Sequence, residues 1–119
     1  MTERIAIIDG IRTPFGKASG KLKDVSAVQL GVHVTKTVLN RIESRNIKID
    51  EVIVGNVAQP ANAANIARVI SLKSGLPEST PAYTVHRNCA SGFEAITSGV
   101  NQILAGKADV IFAAGTESM

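Results

Sequence analysis

The sequence predicts an α/β fold in which strands and helices alternate to build a mainly parallel sheet. Short apolar runs alternate with longer segments whose apolar residues recur at helical spacing, in the order βαβαβαβ. The last run, Val110 to Ala114, is wholly apolar, as expected of a strand covered on both faces. A helix rich in small residues precedes it, and we expect this helix to be buried. Right-handed crossovers would make neighbouring strands parallel.

The N-terminal part of the chain predicts the first strand and the first helix. An apolar run within Glu3 to Asp9 predicts the strand, and the irregular segment Gly10 to Lys23 follows it. Ser26 and Gln29 form a capping box, which indicates that a helix begins there. This helix should end at Asn46, because asparagine tolerates the left-handed conformation common at helix ends.

Two further strands and two helices follow. We expect a strand over Glu51 to Val57, a helix from near Asn62 or Asn65 to Gly75, and a strand over Ala82 to Asn88. The next helix ends at Gly106 and carries an apolar stripe of Phe93, Ile96, Val100, Ile103 and Leu104. Small residues interrupt this stripe, which would allow close packing on several sides. The chain then closes with Gly115 to Met119 directly after the last strand, which suggests the opening part of a larger protein.

Composition narrows the possible functions. The 119 residues are 45% hydrophobic, enough for a sizeable core, and 13 basic against 10 acidic side chains give a net charge of +3. The basic residues are scattered and aromatic residues make up 3%, so nucleic-acid binding is a poor interpretation. No apolar run approaches the roughly 18 residues of a membrane span. The two histidines have no partner at metal-ligand spacing, so no metal is expected.

Cys89 is the single cysteine, and it lies between the third predicted strand and the small-residue helix. A thiol at a helix start is close to free N–H groups and the positive end of the helix dipole, which favour a thiolate. The position therefore suits a nucleophile. The alternative is a small buried hydrophobe, the commoner role of a free cysteine. With one cysteine no intrachain disulfide forms, which fits a cytoplasmic protein and leaves an organelle matrix open.

Neighbouring polar residues have more modest interpretations. His86 precedes Cys89 on the predicted strand, and we expect a structural or interface role for it rather than service as a base. Asn88 is expected to fix the turn at Cys89 through side-chain to backbone hydrogen bonds. Glu117 is expected either to pair with a basic residue beneath the site or to be an exposed carboxylate.

Four segments together resemble the thiolase family. Val85 to Gly92 resembles the nucleophile motif of that family, and Arg12 to Gly16 resembles the loop after its first strand. Gly55 to Val57 is similar to the end of its second strand, and Gly115 to Met119 is similar to the turn after its fourth. The motifs occur in the family's order and extend over the whole chain. Residues 1–119 therefore resemble the first part of a thiolase N-terminal domain, without the loop domain and the C-terminal domain.

The resemblance implies an acyltransferase of lipid metabolism, an acetyl-CoA C-acyltransferase. Cys89 would form an acyl-enzyme, either in thiolytic cleavage of a 3-ketoacyl-CoA or in condensation of two acyl-CoAs. Coenzyme A would be a co-substrate rather than a bound cofactor, and no residue is assigned to its binding. The resemblance also implies partners: the remainder of a thiolase chain, and a second copy in a homodimer or tetramer.

The sequence also departs from the family. It contains no Gly-His-Pro motif, no Asn-Glu-Ala-Phe motif and no second cysteine, which supply the other catalytic groups of thiolases. We therefore expect activity to need downstream residues. Two alternatives stay open at this stage: a related condensing enzyme of the ketoacyl or hydroxymethylglutaryl synthase type, and a non-catalytic thiolase-like module that binds lipid.

Overall fold

The computed structural model describes residues 3–119, which form a parallel sheet with helices on it. The elements are α1 (Ala27–Ile42), a 3-10 turn (Glu43–Arg45), β1 (Glu51–Gly55), α2 (Ile66–Lys73), β2 (Ala82–Val85), α3 (Ser91–Leu104) and β3 (Ile111–Gly115). The strand order is β2-β1-β3, and both neighbours of β1 run parallel to it. The predicted α/β class and the parallel sheet are confirmed.

The core lies on the two faces of the central strand β1. Val52 and Val54 pack into a cluster with the buried residues of α1 and α2, such as Ile66 and Ile70. Because side chains alternate along a strand, Ile53 faces the opposite side, where α3 packs on β1 and β3. The strand is therefore covered on both faces, which explains its continuous apolar sequence.

The helix ends follow the local sequence signals. Ser26 and Gln29 make the reciprocal hydrogen bonds of a capping box at the start of α1. Asn46 takes the left-handed conformation after the 3-10 turn, with φ 52°. Of the two predicted starts for α2, the structure uses Asn65, whose side chain accepts a hydrogen bond from the backbone N–H of Arg68.

The predicted first strand is wrong. Within residues 3–119, the segment Glu3 to Asp9 runs outside the sheet, and Ile7 is 82% exposed. A strand must be hydrogen-bonded to a neighbouring strand, and residues 3–119 provide no such strand for this segment. The sequence pattern identified an apolar extended segment, but whether such a segment pairs with another strand depends on residues that are distant in the chain.

The helix α3, which follows Cys89, is buried against the sheet, and within residues 3–119 this is the one face that is covered rather than several. Ser91, Ala95 and Gly99 are buried against the sheet. The apolar stripe lies largely away from this contact, and Phe93 is 69% exposed. The small residues are the contact surface because the helix backbone approaches the sheet closely.

Candidate active site

The turn between β2 and α3 presents Cys89 to solvent. Ser91 holds this turn, because its Oγ donates to the carbonyl of Asn88 (2.7 Å) and accepts from the N–H of Arg87 (2.8 Å). Asn88 has φ 49°, a left-handed conformation that asparagine tolerates better than most residues. Cys89 projects from the tip of this turn and is exposed. Within residues 3–119 Cys89 is therefore not part of the buried core.

His86 lies beside this turn, and its contact is with Asn88. The Nε2 atom of His86 is 3.1 Å from Oδ1 of Asn88. This contact joins two side chains that precede Cys89 and favours a structural role for His86. The turn is fixed by the backbone carbonyl of Asn88, to which the N–H of Ser91 also donates (3.1 Å), rather than by the Asn88 side chain as predicted.

A groove of about 820 Å³ runs beside Cys89. It gathers all four segments that carry the thiolase resemblance, although these are far apart in the sequence. Its lining includes Arg12 to Gly16, Gly55 and Val57, Asn88 to Gly92 without Ala90, and Gly115 to Met119. The groove runs along the edge strand β3, and three of the four segments lie at the carboxyl ends of β1, β2 and β3, which parallel strands bring together.

Glu117 joins the segments that follow β1 and β3. One carboxylate oxygen accepts from the side-chain amide of Asn56 (3.2 Å) and from the N–H of Val57, and the other accepts from the N–H of Ala58 (3.4 Å). Asn56 is completely buried and also donates to the carbonyl of Thr116 (2.8 Å). Glu117 is exposed, which was one of its two predicted situations, and its carboxylate accepts from neutral donors rather than pairing with a basic residue.

Further hydrogen bonds fasten the chain after β3 to the start of α1. The Thr116 hydroxyl donates to the carbonyl of Ala27 (2.7 Å), and the Ser118 hydroxyl donates to the carbonyl of Val25 (2.6 Å). The N–H of Ser19 donates to the carbonyl of Met119 (3.2 Å). These contacts hold one wall of the groove, and no local sequence pattern predicts them because their partners are distant in the chain.

An exposed ion pair lies on the outer side of the same turn. Arg87 Nη1 is 3.0 Å from Oε2 of Glu94, and Thr97 also donates to that oxygen (3.0 Å). The hydrogen bond from Thr97 and the interaction with Arg87 together lower the pKa of Glu94. Because the pair is exposed, it contributes little to stability.

Neither a metal-binding cluster of side chains nor a membrane-spanning helix is found in the part of the chain that the structure describes. Residues 3–119 contain no group of three or more His, Cys, Asp or Glu side chains arranged to hold a metal ion. None of the helices found there is long and apolar enough to cross a bilayer.

Fold and site together define an α/β protein that presents a cysteine where a sheet strand turns into a helix. The family model described as the thiolase N-terminal domain matches residues 5–119. The chain therefore belongs to the thiolase family, which confirms the resemblance found in its motifs.

Relatives agree with this assignment. The chain is 38% identical over 116 residues to a probable acetyl-CoA acyltransferase of Staphylococcus aureus, covering 98% of this chain. It is 39% identical over 119 residues to an acetyl-CoA acetyltransferase of Syntrophomonas wolfei, covering 100% of this chain. In both cases it spans 30% of the relative's length.

Two solved structures share the fold. A crystal structure of the Bacillus anthracis acetyl-CoA acetyltransferase matches with a TM-score of 0.81 at 38% identity, covering 88% of this chain and 27% of that one. A thiolase from Ascaris suum in complex with coenzyme A matches with a TM-score of 0.84 at 38% identity, covering 91% of this chain and 28% of that one.

Proposed function

We propose that this chain is the nucleophile-bearing part of a thiolase-type acyltransferase, and that Cys89 forms the acyl-enzyme. The observation that carries the proposal is the exposed thiol of Cys89 at the edge of the groove where the four thiolase motifs meet. A nucleophile must reach a carbonyl carbon, and an exposed turn next to a groove provides that access. Family membership supplies the substrate class, which is acyl-CoA with coenzyme A as co-substrate.

The proposed chemistry starts with attack of the Cys89 sulfur on the keto carbonyl of a 3-ketoacyl-CoA. A carbon–sulfur bond forms, the bond between the α carbon and that carbonyl carbon breaks, and its electron pair takes up a proton to give acetyl-CoA. The acyl group stays on Cys89 until the thiol of a second coenzyme A displaces it. The backbone N–H of Cys89 is a candidate donor to the oxyanion. In this proposal the proton-transfer groups come from residues beyond those of this chain.

Two coarser expectations accompany the proposal. β2 is an edge strand of the sheet, and an exposed strand edge can pair with another copy, so the homodimer or tetramer stays a prediction. Residues 1–119 as the first part of an N-terminal domain, completed by a loop domain and a C-terminal domain, likewise stay a proposal supported by the share of the relatives that the chain spans.

The test is acyl transfer to Cys89 in the native protein, isolated together with every polypeptide that copurifies with it. After incubation with acetyl-CoA, peptide mass spectrometry should find one acetyl group on the Cys89 peptide, and added coenzyme A should remove it. The variant Cys89→Ala should acquire no acetyl group at this site.

Other outcomes separate the alternatives. An unmodified Cys89 in an assembly that contains the downstream thiolase segments would contradict the proposal and favour a non-catalytic lipid-binding module. An acetylated Cys89 that cannot be discharged by coenzyme A, but condenses with a second acyl group, would favour a condensing synthase.

A further inference from the structure

The strand β1 ends directly beneath the first turn of α3, at Gly55. A Cβ atom on Gly55 would overlap the carbonyl group of Ser91 and lie 2.6 Å from the backbone nitrogen of Gly92. Backbone atoms cannot rotate away as a side chain can. The contact therefore requires glycine, and it places the first turn of α3 against the sheet with no side chain between them.

A second glycine lies next to the first. Gly115 ends β3 and pairs with Gly55 across the sheet. A Cβ atom on Gly115 would lie 3.1 Å from the Cα of Gly92, which is tighter than an ordinary van der Waals contact. Gly55 and Gly115 together form a flat surface of backbone, which we call the glycine seat, and the first turn of α3 rests on it.

The remainder of α3 meets the sheet in a different way. A Cβ atom on Gly99 would lie 2.9 Å from Cγ2 of Ile111, which is a closer contact than the one at Gly115 but is made with a side chain rather than with backbone. The Ile111 side chain can shift without moving the backbone of β3. At the glycine seat the neighbouring atoms belong to the backbone, so an added Cβ atom there acts on the N-terminal turn of α3 itself.

The distance between the first turn of α3 and the sheet affects the position of Cys89 through Ser91. The Ser91 hydroxyl is bonded on one side to the N–H of Arg87 and on the other to the carbonyl of Asn88. The two residues before Cys89 are thus tied to the first turn of α3. When this turn rises from the seat, the thiol moves with it relative to the groove.

We propose that Gly55 and Gly115 are positioning residues that set the depth of the Cys89 sulfur in the groove. The inference rests on the proposed function of Cys89. A misplacement of about 1 Å at a reacting atom can reduce the rate by about 100-fold. Raising the turn by one methyl group should therefore slow acyl transfer without hiding the thiol.

The test compares Gly115→Ala with Gly99→Ala in the native assembly. Both variants add one methyl group between α3 and β3, but the first lies at the seat and the second against the Ile111 side chain. For each we would measure the single-turnover rate of Cys89 acetylation by acetyl-CoA, the rate of Cys89 alkylation by iodoacetamide, and the melting temperature. Gly55→Ala extends the series, although its overlap with backbone threatens folding.

The contact at Gly115 requires a shift of a few tenths of an ångström, so we expect Gly115→Ala to slow acetylation by about fivefold while alkylation stays within about twofold of wild type. Gly99→Ala should acetylate within about twofold of wild type, even if its melting temperature falls as far as that of Gly115→Ala. Equal acetylation rates in Gly115→Ala and wild type, or an equal loss in Gly99→Ala, would overturn the inference and leave the nucleophile intact. A wild-type protein that is never acetylated would refute the proposed function, and the positioning inference with it.

Discussion

Ser91 organises the candidate nucleophile through one hydroxyl group. It is 4% exposed, and its hydroxyl is bonded to the residues two and one positions before Cys89. A buried hydroxyl with both a donor and an acceptor partner satisfies the rule that buried polar groups are hydrogen-bonded. The same hydroxyl links the turn to α3, so local turn geometry and helix position depend on one side chain.

Replacement of Ser91 by alanine should loosen this turn. Loss of the hydroxyl leaves the N–H of Arg87 without its partner, which we expect to destabilise the folded protein by about 1–3 kcal/mol. Urea unfolding measures this loss. Acetylation of Cys89 should slow in the same variant, because the turn no longer holds a single conformation.

A matched control for that variant is Ser44→Ala, which changes an exposed serine on the 3-10 turn after α1. It should change the free energy of unfolding by no more than about 0.5 kcal/mol. If Ser91→Ala behaves like this control in stability and in acetylation, Ser91 does not hold the turn.

At the scale of elements, the helix caps were predictable and one strand was not. Ser26, Asn46 and Gly106 carry information about their own backbone, so capping and left-handed ends follow from a few neighbouring residues. The segment Glu3 to Asp9 has a strand-like composition, but no strand within residues 3–119 is hydrogen-bonded to it. Strand formation depends on a partner that composition does not reveal.

The cap of α1 provides a stability test at this scale. The Ser26 hydroxyl accepts from the N–H of Gln29 (3.1 Å), and the Gln29 side chain returns a bond to the N–H of Ser26 (2.8 Å). Ser26→Ala should lower the free energy of unfolding by about 1 kcal/mol, measured as a lower urea midpoint. Ser26→Asp keeps a capping oxygen and should recover most of it; an equal loss in both variants would contradict the role of the cap.

At the scale of the whole molecule, the site depends on contacts between distant parts of the chain. The sequence identified Cys89 and four motifs, because each is a local pattern. It did not reveal that the Asn56 side chain donates hydrogen bonds to Thr116 and to Glu117. No local sequence pattern indicates which loops a parallel sheet brings together. The same limit explains why Phe93 is exposed although its helix has an apolar stripe.

Acid stability should depend on Asp50, which joins the entry to β1 with the entry to β3. Its carboxylate accepts from the N–H of Val110 (3.0 Å) and the N–H of Asp109 (2.9 Å), and these bonds lower the pKa of Asp50 below its ordinary value of 3.8. A carboxyl group with a lowered pKa stabilises the folded state above the unfolded pKa. This contribution disappears as the pH falls through the lowered value.

Asp50→Asn should therefore lower the melting temperature near neutral pH and have a smaller effect below the ordinary pKa of the carboxyl group. Thermal unfolding across the acid range measures both. Asp24→Asn, at an exposed position before α1, is the control and should leave the profile unchanged. A variant whose deficit is equal at all pH values would show that the ionised form of Asp50 makes no special contribution.

The strand order has a consequence for how the protein is made. β1 lies in the centre of the sheet, yet it precedes both of its neighbours in the chain. During synthesis this largely apolar strand leaves the ribosome before β2, and its other edge stays open until residue 115 has been added. Nascent chains therefore pass through a stage with an unpaired apolar strand, when chaperone binding and aggregation compete with folding.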